Sequence, residues 1–383
     1  MHTKETLAGR LVLVACNVAG MVDLVALPLW VGVLMQSRSL GPQAAGLTVT
    51  CYVLGVFASS IALSRRFDSI PGRPAAAAGF ALGAAAFLGL MMVDGVGATA
   101  ALHVLAGLGA GCGLSFTHGT IARVANPHRM FAMAGIGVGV FAIPFFALTP
   151  GIIIERGANG LFAVLGTLLA VAAVAALVAF PSAVSAGVAL QDLAAPSGRA
   201  RLAFAGVACF ATRQSMVFSF VERIGIDHGF TLRQVGAMLL VGGFVNLTAP
   251  LLASLVQRCV SAFAVSTFAI PLHGVVGALV TVTASYVPWA AAAILFVWLI
   301  LFGHNFMFGL IARLDPSGRT AATTPAMLMV VGAAIGPALG GVLAQQFGFA
   351  SLGVAALVIA TVGTLCFATV WRHSRAMSFA AAA

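Results

Sequence analysis

Two ionisable side chains lie deep inside apolar stretches of this sequence, Asp23 and Arg213, and they are 190 residues apart. A charge in hydrocarbon costs roughly 3 kcal/mol on insertion scales, so a membrane chain that retains one is using it. Each sits about twelve residues into its run, which at ~1.5 Å per residue puts it near the middle of a bilayer. A carboxyl whose surroundings change can take up and release a proton, which makes Asp23 the candidate proton-coupling residue. A guanidinium is permanently charged and grips a carboxylate or phosphate through two hydrogen bonds, which makes Arg213 the candidate substrate-binding residue. The alternative is a permanent Asp23–Arg213 ion pair that only neutralises itself.

Weaker candidates for substrate contact surround these two. Asn17 precedes Asp23 on the first helix, Gln214 follows Arg213 on the seventh, and Asn246 interrupts the eighth. His118 on the fourth helix, with His304 and Asn305 on the tenth, break apolar runs and could bind substrate or relay protons. His273 is mid-helix in the ninth. Glu222, Arg223, Asp227 and His228 read as solvated charge beyond the seventh. No metal site is indicated: the six cysteines are scattered through apolar runs without C-x-x-C spacing. No H-E-x-x-H, G-x-S-x-G or phosphate-binding loop is present, so neither an enzyme nor a cofactor is expected.

The elements that position these groups follow from composition. Of 383 residues, 61% are hydrophobic and 7% charged, against roughly 25% charged in a soluble domain. Continuous apolar runs of about 20 residues recur from Leu11 to Trp371 and must be helices, because backbone amides in lipid are satisfied only within the segment or in a closed barrel. About twelve transmembrane helices are expected: an N-terminal six-helix bundle over 1–180, a cytoplasmic linker over 181–201, and a C-terminal six-helix bundle over 202–383.

The net charge of +10 is spread between runs, which argues against nucleic acid. Most basic residues, among them Arg65, Arg66, Arg73, Arg129 and Arg319, fall on one side, and Arg38, Arg156, Arg223 and Arg233 on the other. The positive-inside rule then places both termini in the cytoplasm. The halves repeat. Gly46 and Gly236, Arg123 and Arg313, and Arg129 and Arg319 are each separated by 190 residues, and Pro127 and Pro316 by 189.

On these features the sequence resembles the major facilitator superfamily along essentially its whole length. The stretch Ile61-Ala62-Leu63-Ser64-Arg65-Arg66-Phe67-Asp68-Ser69-Ile70-Pro71-Gly72-Arg73 partly matches the family pattern G-x-L-A-D-R-x-G-R-K, with Ser64 where that pattern has an acidic residue. The antiporter pattern G-x-x-x-G-P-x-x-G-G is matched by Gly332, Gly336, Pro337, Gly340 and Gly341, in the eleventh helix rather than the fifth; close helix packing explains those glycines equally. The resemblance implies a secondary transporter of the inner membrane that works by alternating access. It puts helices 1, 4, 7 and 10 on the transport path, helices 3, 6, 9 and 12 in an outer scaffold, and Arg65, Arg66, Arg73, Arg129 and Arg319 in cytoplasmic gating loops. The expected partners are a small organic solute, protons and the lipid bilayer, with the chain a monomer. The substrate is read as an organic anion or amphipathic metabolite. Proton-driven efflux of cationic or neutral amphipaths is the alternative within transport, and a channel or receptor the alternative outside it.

Overall fold

A bilayer leaves a backbone amide no water to bond, and the chain meets that constraint with helix throughout the described residues. The computed structural model describes residues 6–64, 67–181, 198–314 and 324–380. Its helices are α1 (Leu7–Gly20), α2 (Val22–Gln36), α3 (Pro42–Ser64), α4 (Gly72–Gly89), α5 (Val96–Ile121), α6 (Pro127–Ala179), α7 (Gly198–Asp227), α8 (Leu232–Asn246), α9 (Thr248–Val256), α10 (Ala262–Val282), α11 (Tyr286–Leu314), α12 (Thr324–Phe347) and α13 (Ala350–Ala380). Polar caps start four of them. Thr6 accepts from the Gly9 amide, Asn126 from Arg129, Ser261 from Ala264, and Thr231 forms a reciprocal capping box with Gln234.

Nine spans among the described residues are long and apolar enough to cross a membrane, where the sequence predicts twelve. Three elements account for the difference. The span Arg129–Ala179 has 51 residues, far more than one crossing needs, and is broken at Gly157, whose φ of 59° and ψ of −142° are not helical. α4 is short and carries Arg73 in its first turn, and α12 begins beside residues outside the description.

The sequence repeat reappears in the backbone. α3, α4 and α5 begin at Pro42, Gly72 and Val96, and α8, α10 and α11 begin 190 residues later, at Leu232, Ala262 and Tyr286. Ser39 and Gly229, also 190 apart, both have positive φ, 54° and 87°. Gly157 corresponds within one residue to Gly348, φ 76°, where the chain turns from α12 into α13. A side chain is rarely tolerated in this backbone region, which explains glycine at three of the four positions.

The chain divides into two compact units, Met1–Leu190 and Gln191–Ala383. Within the first, α3 and α4 pack on α5, and α1, α2 and α4 on α6; within the second, α12 and α13 pack on α7, and α11 and α13 on α10. Most of the expected linker, 182–197, lies outside the described residues, while Gly198–Arg201, expected as linker, form the first turn of α7. Large apolar side chains such as Leu148, Val171, Val178, Leu255 and Val358 are 58–70% exposed, the surface a lipid solvent permits and water does not.

Glycine brings the helices together. A Cβ on Gly107 would overlap the Tyr52 carbonyl, and one on Gly111 would lie 2.7 Å from the Val56 backbone, so α3 and α5 touch main chain to main chain. In the second unit, a Cβ on Gly336 would stand 2.7 Å from both the Met216 nitrogen and the Thr212 oxygen of α7. The Ser215 hydroxyl donates across this contact to the Gly332 carbonyl at 2.9 Å. The G-x-x-x-G-P-x-x-G-G residues of α12 are therefore a packing seam against α7. Gly336→Ala is expected to lower stability by roughly 1–3 kcal/mol by overpacking. Gly135→Ala, whose Cβ would meet no atom within 4 Å, should leave it unchanged or slightly higher. Thermal unfolding of the two purified variants checks the pair.

Candidate functional site

Arg213 is enclosed within its own unit, at 0% exposure. Its Nε–H donates to Nδ1 of His273 on α10 at 3.0 Å, and its Cζ lies 5.0 Å from the centre of the Phe210 ring, a cation–π contact of about 0.5–2 kcal/mol. Both terminal nitrogens, Nη1 and Nη2, are buried without a hydrogen-bond partner among the described residues. A buried guanidinium normally satisfies its donors with a carboxylate or carbonyls, because each unmet charged donor costs kilocalories. Every unmet group on this side chain is a donor, so what would complete it is an acceptor.

His273, expected in outer scaffold, is the residue that holds Arg213. It is fully buried, stacked on Phe296 of α11 at 4.0 Å between centroids and 4.8 Å from Phe210. Because Nδ1 accepts from Arg213, the ring is the neutral tautomer with its proton on Nε2. His304 joins the same cluster, edge-on to Phe210 at 5.1 Å. Gln214, next to Arg213, is half-buried, with its Oε1 lacking a partner among the described residues. Asn246 ends α8, which is separated from α9 at Leu247, and its Oδ1 likewise has no partner among the described residues. Asn305 turns instead to its own helix, donating to the Leu301 carbonyl at 2.7 Å, and borders a cavity of about 160 Å³ lined also by Pro250, Ser254, Gln257 and Phe306.

The first unit brings other predicted residues together. Asn17 of α1 accepts from Nε2 of His118 on α5 at 2.8 Å and donates to the Ala134 carbonyl of α6 at 3.2 Å, tying three helices. Asp23 is half-buried in the first turn of α2, just past a break in the first span at Met21, whose φ of −103° and ψ of 9° interrupt the helix. A carboxylate in a helix's first turn is favoured by the helix dipole. It lies within electrostatic reach of Tyr52 on α3, whose buried hydroxyl has no hydrogen-bond partner among the described residues.

Two buried groups escape the sequence reading. His103 is fully buried, accepting from Trp30 Nε1 at 2.9 Å and donating from Nδ1 to the Thr99 carbonyl at 2.7 Å, inside an aromatic cluster of Trp30, Tyr52, Phe87 and Phe162. Its polar groups are satisfied, so it is structural; the Thr99/His103 spacing of four on an apolar face is the only sequence hint. Glu222, expected as solvated charge, is 1% exposed because α7 runs on to Asp227.

Of the expected gating residues, Arg65, Arg66 and Arg319 lie outside the described residues. Arg73 donates through Nε and Nη2 to the Phe180 carbonyl at 3.2 and 3.1 Å, capping the end of α6, and Arg129 is exposed in the first turn of α6. At the opposite end of the first unit, Arg38 binds Asp94 and the Leu90 and Val93 carbonyls.

Asn17→Leu removes both bonds and leaves the half-buried His118 without its acceptor; a loss of about 1–3 kcal/mol is expected. Thermal unfolding should show it, with a smaller effect for His118→Phe, which keeps the 5.5 Å edge contact to Phe131.

A sequence profile described as Major Facilitator Superfamily matches residues 12–324. No curated protein matches the sequence. Among solved structures, the chain is similar to a point mutant of the nucleoside transporter NupG, with 13% identity, a TM-score of 0.71 and coverage of 95% of this chain and 99% of that one. It is also similar to a POT family transporter in complex with a thioalcohol-conjugated peptide, with 13% identity, a TM-score of 0.72 and 96% of each chain covered. At that identity the likeness is one of fold.

Proposed function

From the premise that this chain belongs to the Major Facilitator Superfamily and is a multi-pass membrane transporter, we propose that it moves a small organic anion by alternating access, coupled to protons. The observation that carries this reading is the guanidinium of Arg213, fully buried, with two terminal nitrogens and no acceptor for them among the described residues. An organic carboxylate supplies both the charge and the two oxygens that such a fork binds. Gln214, Asn246, His304 and Asn305 in the same unit supply polar contacts to the rest of the solute.

Asp23 is the proton-coupling group in this account. A carboxyl at a helix break, half-buried and close to a tyrosine hydroxyl, changes environment when its helix segment moves, and its proton affinity changes with it. Arg73, Arg129 and the remaining cytoplasmic arginines, Arg65, Arg66 and Arg319, act at the inner gate. The chain sits in the cytoplasmic membrane with both termini inside, following its basic loops, and functions as a monomer.

Transport in proteoliposomes tests both assignments. Arg213→Gln should weaken the apparent affinity for organic anions roughly 10- to 100-fold, the worth of a charge-assisted pair of about 1.5–3 kcal/mol. Competition by amphipathic cations and none by anions would contradict the substrate class. Asp23→Asn should abolish accumulation driven by an imposed pH gradient while counterflow exchange persists; coupled accumulation at the wild-type level would remove Asp23 from the mechanism.

A further inference from the structure

Resting on the reading of Arg213 as the anion site, we infer that His273 is the positioning residue for that site, and that a proton on His273 and the bound anion exclude each other. Arg213 has three nitrogens available to acceptors, and the described residues use only one. Nε–H is tethered to His273 Nδ1 at 3.0 Å, while Nη1 and Nη2 remain unmet and buried. A guanidinium held by Nε presents its two Nη groups as an end-on fork, whose geometry matches the two oxygens of one carboxylate. The tether thus fixes which edge of the guanidinium faces a ligand.

The histidine is itself held firmly. Its ring lies 4.0 Å from Phe296 and 4.8 Å from Phe210, and Gly274, the next residue, would place a Cβ 2.6 Å from the Ala360 Cβ of α13 and 3.8 Å from Arg213 Nη1. No larger residue at that position would let α10, α13 and the guanidinium meet so closely.

Only a neutral His273 can accept at Nδ1. A proton arriving there turns the acceptor into a donor facing another donor, breaks the tether and frees Arg213 to rotate off its fork geometry. The titratable and charged groups that act on His273 among the described residues are Arg213 on α7 and His304 on α11, with Cys209 of α7 near Arg213 and Cys366 of α13 near Cys209; α10 carries no other. None of these is a carboxylate that would favour a charged imidazole beside the guanidinium. Anion bound with His273 neutral, and anion released with His273 protonated, are then the two states of the site, and linkage makes the competition reciprocal.

The experiment measures stabilisation of the detergent-purified full chain by benzoate, citrate and inorganic phosphate, as a shift in Tm across a pH series, for wild type and three variants, His273→Asn, His273→Phe and Arg213→Gln. His273→Asn keeps an accepting oxygen close to the Nδ1 position and cannot take a proton; His273→Phe keeps the ring stacking and loses the acceptor. Wild type should bind at least one of the three anions, more weakly as pH falls. His273→Asn should bind within about threefold of wild type at neutral pH with no pH dependence beyond the anion's own ionisation, and His273→Phe at least tenfold more weakly, a loss of ~1.4 kcal/mol or more. Tm without anion reports whether each variant folds, and His273→Asn tests the pH dependence if His273→Phe does not. Equal binding by His273→Phe and wild type, with Arg213→Gln inactive, overturns the positioning role and leaves Arg213 as the anion site. Wild-type binding that tightens on acidification overturns the exclusion. Unchanged binding in Arg213→Gln, or no binding of any of the three anions to wild type, overturns the anion site and with it this inference.

Discussion

A guanidinium with no carboxylate among the described residues to answer it is the constraint around which the second unit is arranged. Arg213 cannot shed its charge, and enclosing it in helices removes the water that would otherwise solvate it. The unit meets part of the cost with the His273 hydrogen bond and the Phe210 face. Nη1 and Nη2 have no hydrogen-bond partner among the described residues. An anion there, as proposed, would complete the hydrogen bonds of the guanidinium.

That arrangement depends on how closely the helices approach. The glycines of α12 set α7 in place through backbone contacts at Thr212 and Met216, the residues flanking Arg213 and Ser215. Gly274 lets α10 meet α13 beside the guanidinium. The first unit uses the same device, with Gly107 and Gly111 of α5 against α3, to bury the cluster of Trp30, Tyr52 and His103 next to the segment that carries Asp23. Small residues in these seams therefore serve the sites indirectly, by fixing the depth and orientation of the few polar side chains.

Much of the architecture is legible in the sequence because lipid allows so few solutions. Continuous apolar runs can only be helices, and the spacing of 190 between Gly46 and Gly236 or between Arg123 and Arg313 anticipates the matching starts of α3 and α8, α4 and α10, and α5 and α11. Asp23 and Arg213 stand out because charge inside an apolar run is costly. His273 does not, since its importance lies in a partner 60 residues away on another helix, and nothing local distinguishes it from a packed scaffold histidine. Asn17 stands out as a polar break, but its bond to His118, 101 residues distant, has no local signal. Glu222 escapes for a different reason: α7 extends past the apolar run, so a charge at the end of the hydrophobic pattern is not a charge in solvent. The break at Met21, one residue before α2 and two before Asp23, leaves little trace beyond Gly20.

An anion bound by Arg213 is tested most directly by a crystal structure of the full chain grown with 4-bromobenzoate, with bromine located by anomalous scattering. The prediction is a bromine peak in the second unit, with the carboxylate within hydrogen-bonding distance of Nη1 and Nη2 and the Nε–His273 bond intact. A bromobenzoate bound elsewhere while both terminal nitrogens of Arg213 bond to protein or water would contradict it.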